Sequence, residues 1–422
     1  MERYESYKPS GLSWLGQVPS HWALKKTKFL WRERDDRSVL GEEQLLSVSQ
    51  YTGVTPRAKD SRSESLEDYK RCQPNDLVIN IMLAWMGGLG VSSHAGIVSP
   101  AYCVYRQLED HSSRYLGYLY RTPQYLAEFA RRSKGVVPSR WRMYTEDFGQ
   151  VLTLLPPREE QRRIVAFLDQ KTEEINAAIA QKERLIALLL VQKRCLIYST
   201  VTGEFRRKMP TRRTSLPWLP EVPADWNLGR VKTVASFITS GPRGWSDRLS
   251  DVGPYFIQSG NLNDSLGVDI KDAHRVTVPK GAEVKRTRLR DGDALICITG
   301  ANTGRVAVAR IDDQEAYINQ HLSLVRLQGV NPRFVAYSLS AQGATYFDLC
   351  QYGLKEGLSL FDVANAPLVL PPLEEQNELV EFLDQCVVKV DAVIAAVKAQ
   401  IVQLDELKRT TIAATVVGRI KV

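Results

Sequence analysis

The sequence predicts an α+β chain with an internal repeat: two mixed α/β globules, each followed by a long helix, with the two helices paired antiparallel as a coiled coil. Three observations predict it. A tryptophan-rich opening occurs twice, as Gly11-Leu-Ser-Trp14-Leu15-Gly-Gln-Val18-Pro19-Ser-His-Trp22 and, 204 residues on, as Leu216-Pro-Trp218-Leu219-Pro-Glu-Val222-Pro223-Ala-Asp-Trp226. A closing set also occurs twice, 215 residues apart: Leu154-Leu155-Pro156-Pro157-Arg158-Glu159-Glu160-Gln161 is matched by Val369-Leu370-Pro371-Pro372-Leu373-Glu374-Glu375-Gln376, Phe167-Leu168-Asp169-Gln170 by Phe382-Leu383-Asp384-Gln385, and Gly203 by Gly418. Between each Pro-Pro and its glycine there is no proline or glycine, and apolar residues recur at helical spacing.

Each element follows from its residues. Leu77-Val-Ile-Asn-Ile-Met-Leu83 and Ala294-Leu-Ile-Cys-Ile298 are short apolar runs that follow the turn pairs Asn75-Asp76 and Gly292-Asp293, so they read as strands. Tyr102 to Arg106 and Leu322 to Arg326 read as a second matched pair of strands. Helices are expected from Arg114 to Ala130 and from Pro332 to Leu349, with closing strands at Val151 to Leu155 and Leu368 to Leu370. Pro-Pro then ends the strand. Proline fits the first turn of a helix, and the Glu-Glu after it suits the positive end of the helix dipole. In the second long helix Leu383, Val387, Val390, Ile394, Val397, Ile401 and Leu404 alternate spacings of four and three, which is a coiled-coil seam. The first helix has Leu168, Thr172, Ile175, Ile179, Lys182, Ile186 and Leu189 at these positions, so Thr172 and Lys182 weaken its seam. Roughly 45 residues at ~1.5 Å each make a rod of about 65–70 Å, whose stripe needs a partner. The nearest partner is the other copy.

Composition narrows the classes. The chain has 422 residues, 44% hydrophobic and 25% charged, which suits a globular protein of several domains. Its longest apolar stretches, such as Ile186 to Val191, are too short to span a bilayer, and Met1-Glu2-Arg3-Tyr4-Glu5 has no apolar core of a signal peptide. Six scattered cysteines without a C-x-x-C pair point to reduced thiols in a cytoplasm and away from a zinc site. A net charge of +8 permits nucleic-acid binding without requiring it.

The doubled tryptophan openings, the two Leu-Pro-Pro-x-Glu-Glu-Gln junctions, the Phe-Leu-Asp-Gln helix starts and the closing glycines together resemble the specificity (S) subunit of type I restriction–modification systems. The resemblance covers essentially the whole chain. It implies a target-recognition domain at 1–157, a conserved spacer helix at 158–205, a basic linker at 206–215, a second target-recognition domain at 216–372 and a second spacer helix at 373–422. It further implies a non-catalytic subunit that binds a bipartite, asymmetric site in double-stranded DNA. Its implied partners are two methyltransferase (M) subunits and the restriction (R) subunits. S-adenosylmethionine, ATP and Mg then belong to those partners, with no cofactor on this chain, no membrane association and a cytoplasmic location. The same architecture could equally serve a system with a fused methyltransferase–nuclease. A third reading, from another class, is a coiled-coil scaffold whose globules bind protein or RNA.

No motif for chemistry stands out. Ser99-Pro-Ala-Tyr102 lacks the amide or carboxylate and the second proline of an adenine methyltransferase loop. Gly300-Ala-Asn-Thr-Gly304 has neither the spacing nor the lysine of a phosphate-binding loop and reads as a tight turn. Asp272, Glu283 and Lys285 make only a chance-level nuclease set.

DNA binding needs cations for phosphates and side chains that reach base edges. Arg131, Arg132, Lys134, Arg140 and Arg142 stand together with Ser139 and Trp141, and no acid intervenes before Glu146. The equivalent stretch of the second copy, Tyr352 to Ser359 with Lys355, is far less basic, so the two globules should grip DNA differently. The second copy offers Arg243 and Trp245, then Lys285, Arg286 and Arg288, then Asn319, Gln320 and His321; Asn and Gln pair bidentately with adenine. Competing structural readings stand beside these. Lys285 to Arg290 alternates like a solvated edge strand, His321 is as well explained as a structural histidine, and Arg206-Arg207-Lys208 with Arg212-Arg213 reads as a flexible linker. The four repeated tryptophans read as core.

A two-fold relation between the copies would also bring Val422 beside Met1, closing the chain into a ring. If the helices act as a ruler, four residues inserted after Ala180 add about 6 Å, approaching two base pairs at ~3.4 Å each. The unread spacer between half-sites should then grow by one or two base pairs in a map of methylated DNA. Methylation at the original spacing would refute the ruler.

Overall fold

The computed structural model describes residues 2–57, 66–137, 140–206, 209–351 and 357–422. The chain divides into two compact units, one made of Met1–Lys182 with Lys398–Val422 and the other of Glu183–Val397. Each unit therefore holds one globule, the first part of the long helix that follows it and the last part of the other long helix.

Both units are built to one plan. The first opens on an antiparallel hairpin, Tyr7–Pro9 with Gln17–Pro19. Its central sheet is antiparallel, in the order Trp31–Arg34, Tyr102–Gln107, Leu77–Asn80, Leu89–Val91. The closing strand Leu152–Leu155 pairs with Ala23–Lys26 outside that sheet. The second unit opens on Thr211–Leu216 with Leu219–Pro223. Its central sheet has the same order, Ala235–Ser240, Leu322–Leu327, Ala294–Cys297, Val306–Val308, and Pro367–Leu370 pairs with Asn227–Arg230. The second unit adds a three-stranded sheet in which Leu249–Ile257 lies between His274–Val276 and a parallel neighbour, Ala316–Ile318.

Several sequence expectations are corrected. The helix expected over Arg114 to Ala130 is two, Ser113–Tyr120 and Pro123–Arg132. Pro123 cannot continue a helix, because it lacks an N–H and its ring meets the preceding turn. The helix expected over Pro332 to Leu349 is Pro332–Ser340 and Gln342–Cys350, broken where Ala341 leaves the helical region at φ −101°, ψ −89°. The strand expected to reach Leu83 ends at Asn80. Residues read as an edge strand, Lys285 to Arg290, begin instead in a helix, Ala282–Thr287, where alanine, glutamate, lysine and arginine follow Gly281. Of the stretch read as a flexible linker, Arg207 and Lys208 lie outside the described residues, and the described part is held: Thr211–Leu216 is a hairpin strand, Arg212 donates to the Trp226 carbonyl at 2.6 Å, and Arg206 reaches Asp225 at 3.1 Å and Glu375 at 3.3 Å.

The long helices span Arg158–Val201 and Leu373–Val416. Each is fastened to its globule in the same way. The buried Gln161 carboxamide donates to the Pro156 carbonyl at 2.9 Å and accepts from the Ser112 backbone N–H at 2.8 Å. Gln376 donates to Pro371 and accepts from Asn331, both at 2.8 Å. A little over two turns on, Asp169 receives Arg114 at 2.7 Å and Tyr118 at 2.8 Å; Asp384 receives Arg333 at 2.7 Å and Tyr337 at 2.6 Å. The repeated Gln of the junction motif and the repeated Asp of the Phe-Leu-Asp-Gln helix start are thus clamps.

Within each unit the two helices run antiparallel. Lys182 donates to Gln400 at 2.6 Å and Lys408 to Asn176 at 2.8 Å in one unit, and Lys193 pairs with Asp391 at 2.7 Å in the other. The expected seam lies inward: Leu168, Leu383, Val387, Ile394 and Val397 are buried and the remaining seam positions half-buried. The polar interruptions are satisfied, Lys182 as above and Thr172 by the Asp169 carbonyl at 3.1 Å.

Each core is completed by the helix arriving from the other half of the sequence. Val416 and Val417 join Trp22, Tyr115 and Leu154 in one core, while Ile197 and Val201 join Phe334, Leu368 and Leu383 in the other. Both long helices end on a left-handed glycine, Gly203 at φ +72° and Gly418 at φ +77°. Gly203 lies flat on Pro223 and Trp226, and Gly418 on Pro19 and Trp22. Beyond Gly418 the Lys421 N–H donates to the Glu2 carbonyl at 2.9 Å; Met1, which the ring expectation sets beside Val422, lies outside the described residues.

A Cβ at residue 418 would sit 2.4 Å from Pro19, and the positive φ itself disfavours a side chain. Gly418→Val should therefore destabilise the first unit by about 1–3 kcal/mol from backbone strain alone, before the clash is counted. This should appear as an earlier guanidinium unfolding midpoint, with Gly203→Val doing the same for the second unit. An unchanged midpoint for both would show that neither glycine locks its unit.

Candidate nucleic-acid interface

The same end of the central sheet carries the variable loops in both units. In the first, the strand Leu77–Asn80 runs out into Ile81, whose carbonyl accepts the Met143 N–H at 2.9 Å. In the second, Ala294–Cys297 runs out into Ile298, whose carbonyl accepts the Leu358 N–H at 2.7 Å. Each sheet is braced just below by an arginine–aspartate pair. Asp76 takes the Arg106 guanidinium at 3.0 and 3.2 Å, and Asp293 takes Arg326 at 2.9 and 2.7 Å. The turn pairs Asn75-Asp76 and Gly292-Asp293 are thereby explained, since each aspartate also accepts a backbone N–H of its own turn.

In the first unit the cations divide sharply. Arg131 and Arg132 end a helix and both bond Glu128, at 2.7 and 2.5 Å. Burial opposes ionisation of Glu128, but the two arginines outweigh it and hold the carboxyl below its ordinary value. Lys134 pairs with Asp147 at 2.9 Å. Lys134 and Arg142 exchange backbone hydrogen bonds at 3.0 and 2.9 Å, closing a hairpin with Arg140 near its tip. Arg142 donates to the Trp141 carbonyl at 2.9 Å, and Arg140 is exposed with no side-chain partner among the described residues. Trp141 packs edge-on against Trp85, centroids 5.2 Å apart. Trp85 was not singled out from sequence; the only signal was an aromatic in an apolar run just before Gly87-Gly88. Ser139 lies outside the described residues.

In the second unit Arg243 is exposed in the loop after Ser240. Gly241 packs on the Asn319 carbonyl so closely that a Cβ would lie 2.1 Å from it, which brings this loop beside Asn319-Gln320-His321. Asn319 is 4% exposed and accepts the His321 N–H at 3.1 Å, so it shapes the turn and has no free edge for a base. Gln320 and His321 are half-buried, with His321 Nδ1 against the Thr299 hydroxyl at 2.5 Å and Nε2 against Gln320 Nε2 at 3.3 Å. Trp245 is 3% exposed, stacked on Phe256 and packed against Tyr317, so it is core and has no face for a ligand. Arg286 bonds the Thr239 hydroxyl at 2.6 Å, and Lys285 and Arg288 are exposed. Lys355 lies outside the described residues. Gly300 to Arg305 is the tight turn expected, with Thr303 N–H bonding the Gly300 carbonyl at 3.0 Å.

Among the described residues no group of three His, Cys, Asp or Glu is placed to hold a metal, and no helix is long and apolar enough to cross a membrane.

Comparison with known proteins follows this geometry. Residues 223–403 match the family model described as type I restriction modification DNA specificity domain. The chain is 22% identical over 353 residues to the type I restriction enzyme EcoBI specificity subunit of Escherichia coli, covering 81% of this chain and 72% of that one. It superposes on a solved chain from a study of complex assembly and conformational transition of the type I R-M system with a TM-score of 0.70, at 18% identity, covering 96% and 99% of the two chains. It superposes on the HsdS subunit from Thermoanaerobacter tengcongensis with a TM-score of 0.52, at 19% identity, covering 96% and 98%.

The pairing pattern ranks the cations. Arg140→Ala should weaken duplex DNA binding by about 1–3 kcal/mol if it meets a base. Arg131→Ala should cost less, because Glu128 already holds that guanidinium. Fluorescence anisotropy on both variants checks the order, and a larger loss for Arg131→Ala would reverse the assignment.

Proposed function

The chain belongs to the family of type I restriction–modification DNA specificity subunits, and from that premise we propose that it reads an asymmetric DNA sequence in two parts, one with each unit. It does so without catalysis of its own. It directs two methyltransferase subunits to the site, and restriction subunits join to complete the nuclease. S-adenosylmethionine, ATP and Mg act on those partners, and the assembly works on cytoplasmic DNA.

One observation carries this reading: a single frame is built twice, and the same sheet end bears different side chains in each copy. The frame is repeated down to individual hydrogen bonds, those of Gln161 and Gln376, Asp169 and Asp384, Asp76 and Asp293. The loops on it are not. One copy carries a basic hairpin with Arg140 and Trp141, and the other brings Arg243 beside Gln320 and His321, while residues 352–356 of the stretch equivalent to the hairpin lie outside the described residues. Two identical ligands would call for two similar surfaces. Two different half-sites call for different surfaces at one place on a common support. The phosphate grip comes from Arg131, Arg132, Lys134 and Arg142 in the first unit and from Lys285, Arg286 and Arg288 in the second. Arg140, Arg243, Gln320 and His321 are the base-reading candidates.

The test is the methylated motif itself. Co-expression with a methyltransferase partner, followed by sequencing for methylated adenine, should yield a split, non-palindromic motif. Exchanging Met1 to Leu155 for the corresponding part of another specificity subunit should change one half of that motif alone. Binding should fall about a thousandfold or more between 50 and 200 mM salt if six to ten phosphates are neutralised. An unsplit motif, or both halves changing together, would remove the two-reader proposal.

A further inference from the structure

The first unit presents an apolar surface that phosphate binding does not explain. Val136, two residues after Lys134 in the Lys134–Arg142 hairpin, is 96% exposed, and Leu83 and Met86 on the neighbouring turn are 40% and 41% exposed. None of the three is needed to fill the core at that exposure. The loops that carry them are nonetheless tightly built. Gly135 approaches the Arg140 carbonyl so closely that a Cβ would lie 2.5 Å from it. The turn is closed by Asn80 Oδ1 accepting the Met82 N–H at 3.1 Å and by the Met86 N–H donating to the Leu83 carbonyl at 3.0 Å. Trp85 donates to the Met82 carbonyl at 3.2 Å, and its ring meets Trp141, which joins turn to hairpin. A support of this kind, which holds aliphatic groups in water beside an arginine with no side-chain partner among the described residues, is a contact surface.

We propose that these groups read thymine: Val136, Leu83 and Met86 contact the C5-methyl groups of thymines in the first half-site, while Arg140 supplies the hydrogen bonds to a neighbouring base. This rests on the two-part DNA reading proposed above. Charge favours the same occupant. The nearby carboxylates of Glu128 and Asp147 are already held by Arg131, Arg132 and Lys134, so the apolar groups stand in a cationic surround suited to a polyanion. On the base edges of the major groove, the one apolar group is the methyl of thymine.

The experiment uses the full chain with its methyltransferase partner, on duplexes of the mapped motif in which deoxyuridine replaces thymine in one half-site at a time. Uracil in the first half-site should weaken binding about fourfold for each methyl contacted. The combined variant L83N/M86Q/V136N, which leaves none of the three aliphatic groups, should bind thymine and uracil duplexes equally. Val136 is 96% exposed, so V136N alone should lower the thymine preference in part without testing folding. Uracil in the second half-site should have the same effect on wild type and variants. Equal binding of uracil and thymine in the first half-site, or a first half-site free of thymine, overturns the inference while motif-specific binding leaves the two-part reading standing. Normal DNA affinity with lost methyltransferase association in V136N or M86Q would assign the surface to a protein partner and also overturn it. Absence of any motif-specific binding would defeat the two-part reading itself.

Discussion

Two buried carboxamides set the register of this molecule. Gln161 and Gln376 each sit on the first turn of a long helix, away from water, where an unpaired amide is costly. Each meets that demand by joining the proline carbonyl that precedes its helix to the backbone N–H that opens a helix of the globule. Rotating a long helix by one residue would turn the amide by about 100° and leave all of these groups unpaired. Asp169 and Asp384 repeat the constraint farther along, with an arginine and a tyrosine held by one carboxylate. The direction in which the helix leaves the globule is therefore decided by polar satisfaction. The apolar seam, which tolerates sliding more easily, follows from it.

That division explains what could be read in the sequence. The frame was legible because its residues do rare things twice. Gln, Asp, the Pro-Trp pair and the closing glycine each occupy places where one residue type satisfies the geometry, so repetition exposed them without any structure. The seam was legible because helical spacing survives wherever a partner helix is present, and even its flaws at Thr172 and Lys182 were visible. Secondary structure inside the globules was less so. Pro123 divides a helix and could have been weighed more heavily, whereas Ala341 breaks a helix with no residue type to announce it.

The candidate interface was legible only in part, for a physical reason. Cations and aromatics look alike in sequence whether they face water or the core. Trp245 stands between arginines in sequence, yet Phe256 and Tyr317 enclose it. Asn319 has the chemistry of an adenine reader but is used up by the turn it stabilises. Trp85 carried no cation beside it and was passed over, although it anchors the basic hairpin through Trp141. Distances between segments remote in sequence decide such cases, and spacing along the chain does not contain them.

The way each core is completed bears on how the protein is made. Trp22 and Tyr115 belong to the first unit, but Val416, Val417 and Gly418 cover them, and the Tyr115 hydroxyl bonds the Val416 carbonyl at 3.0 Å. During synthesis the first unit must wait through the whole of the second before those residues leave the ribosome. For that interval a large aromatic surface and a polar hydroxyl lack their native cover. The second unit takes Ile197 and Val201 from the helix made before its globule and needs nothing beyond Val397, so it can mature first. The order of synthesis and the order of maturation are thus reversed, and the earliest-made part of the chain is the one whose core stays uncovered longest.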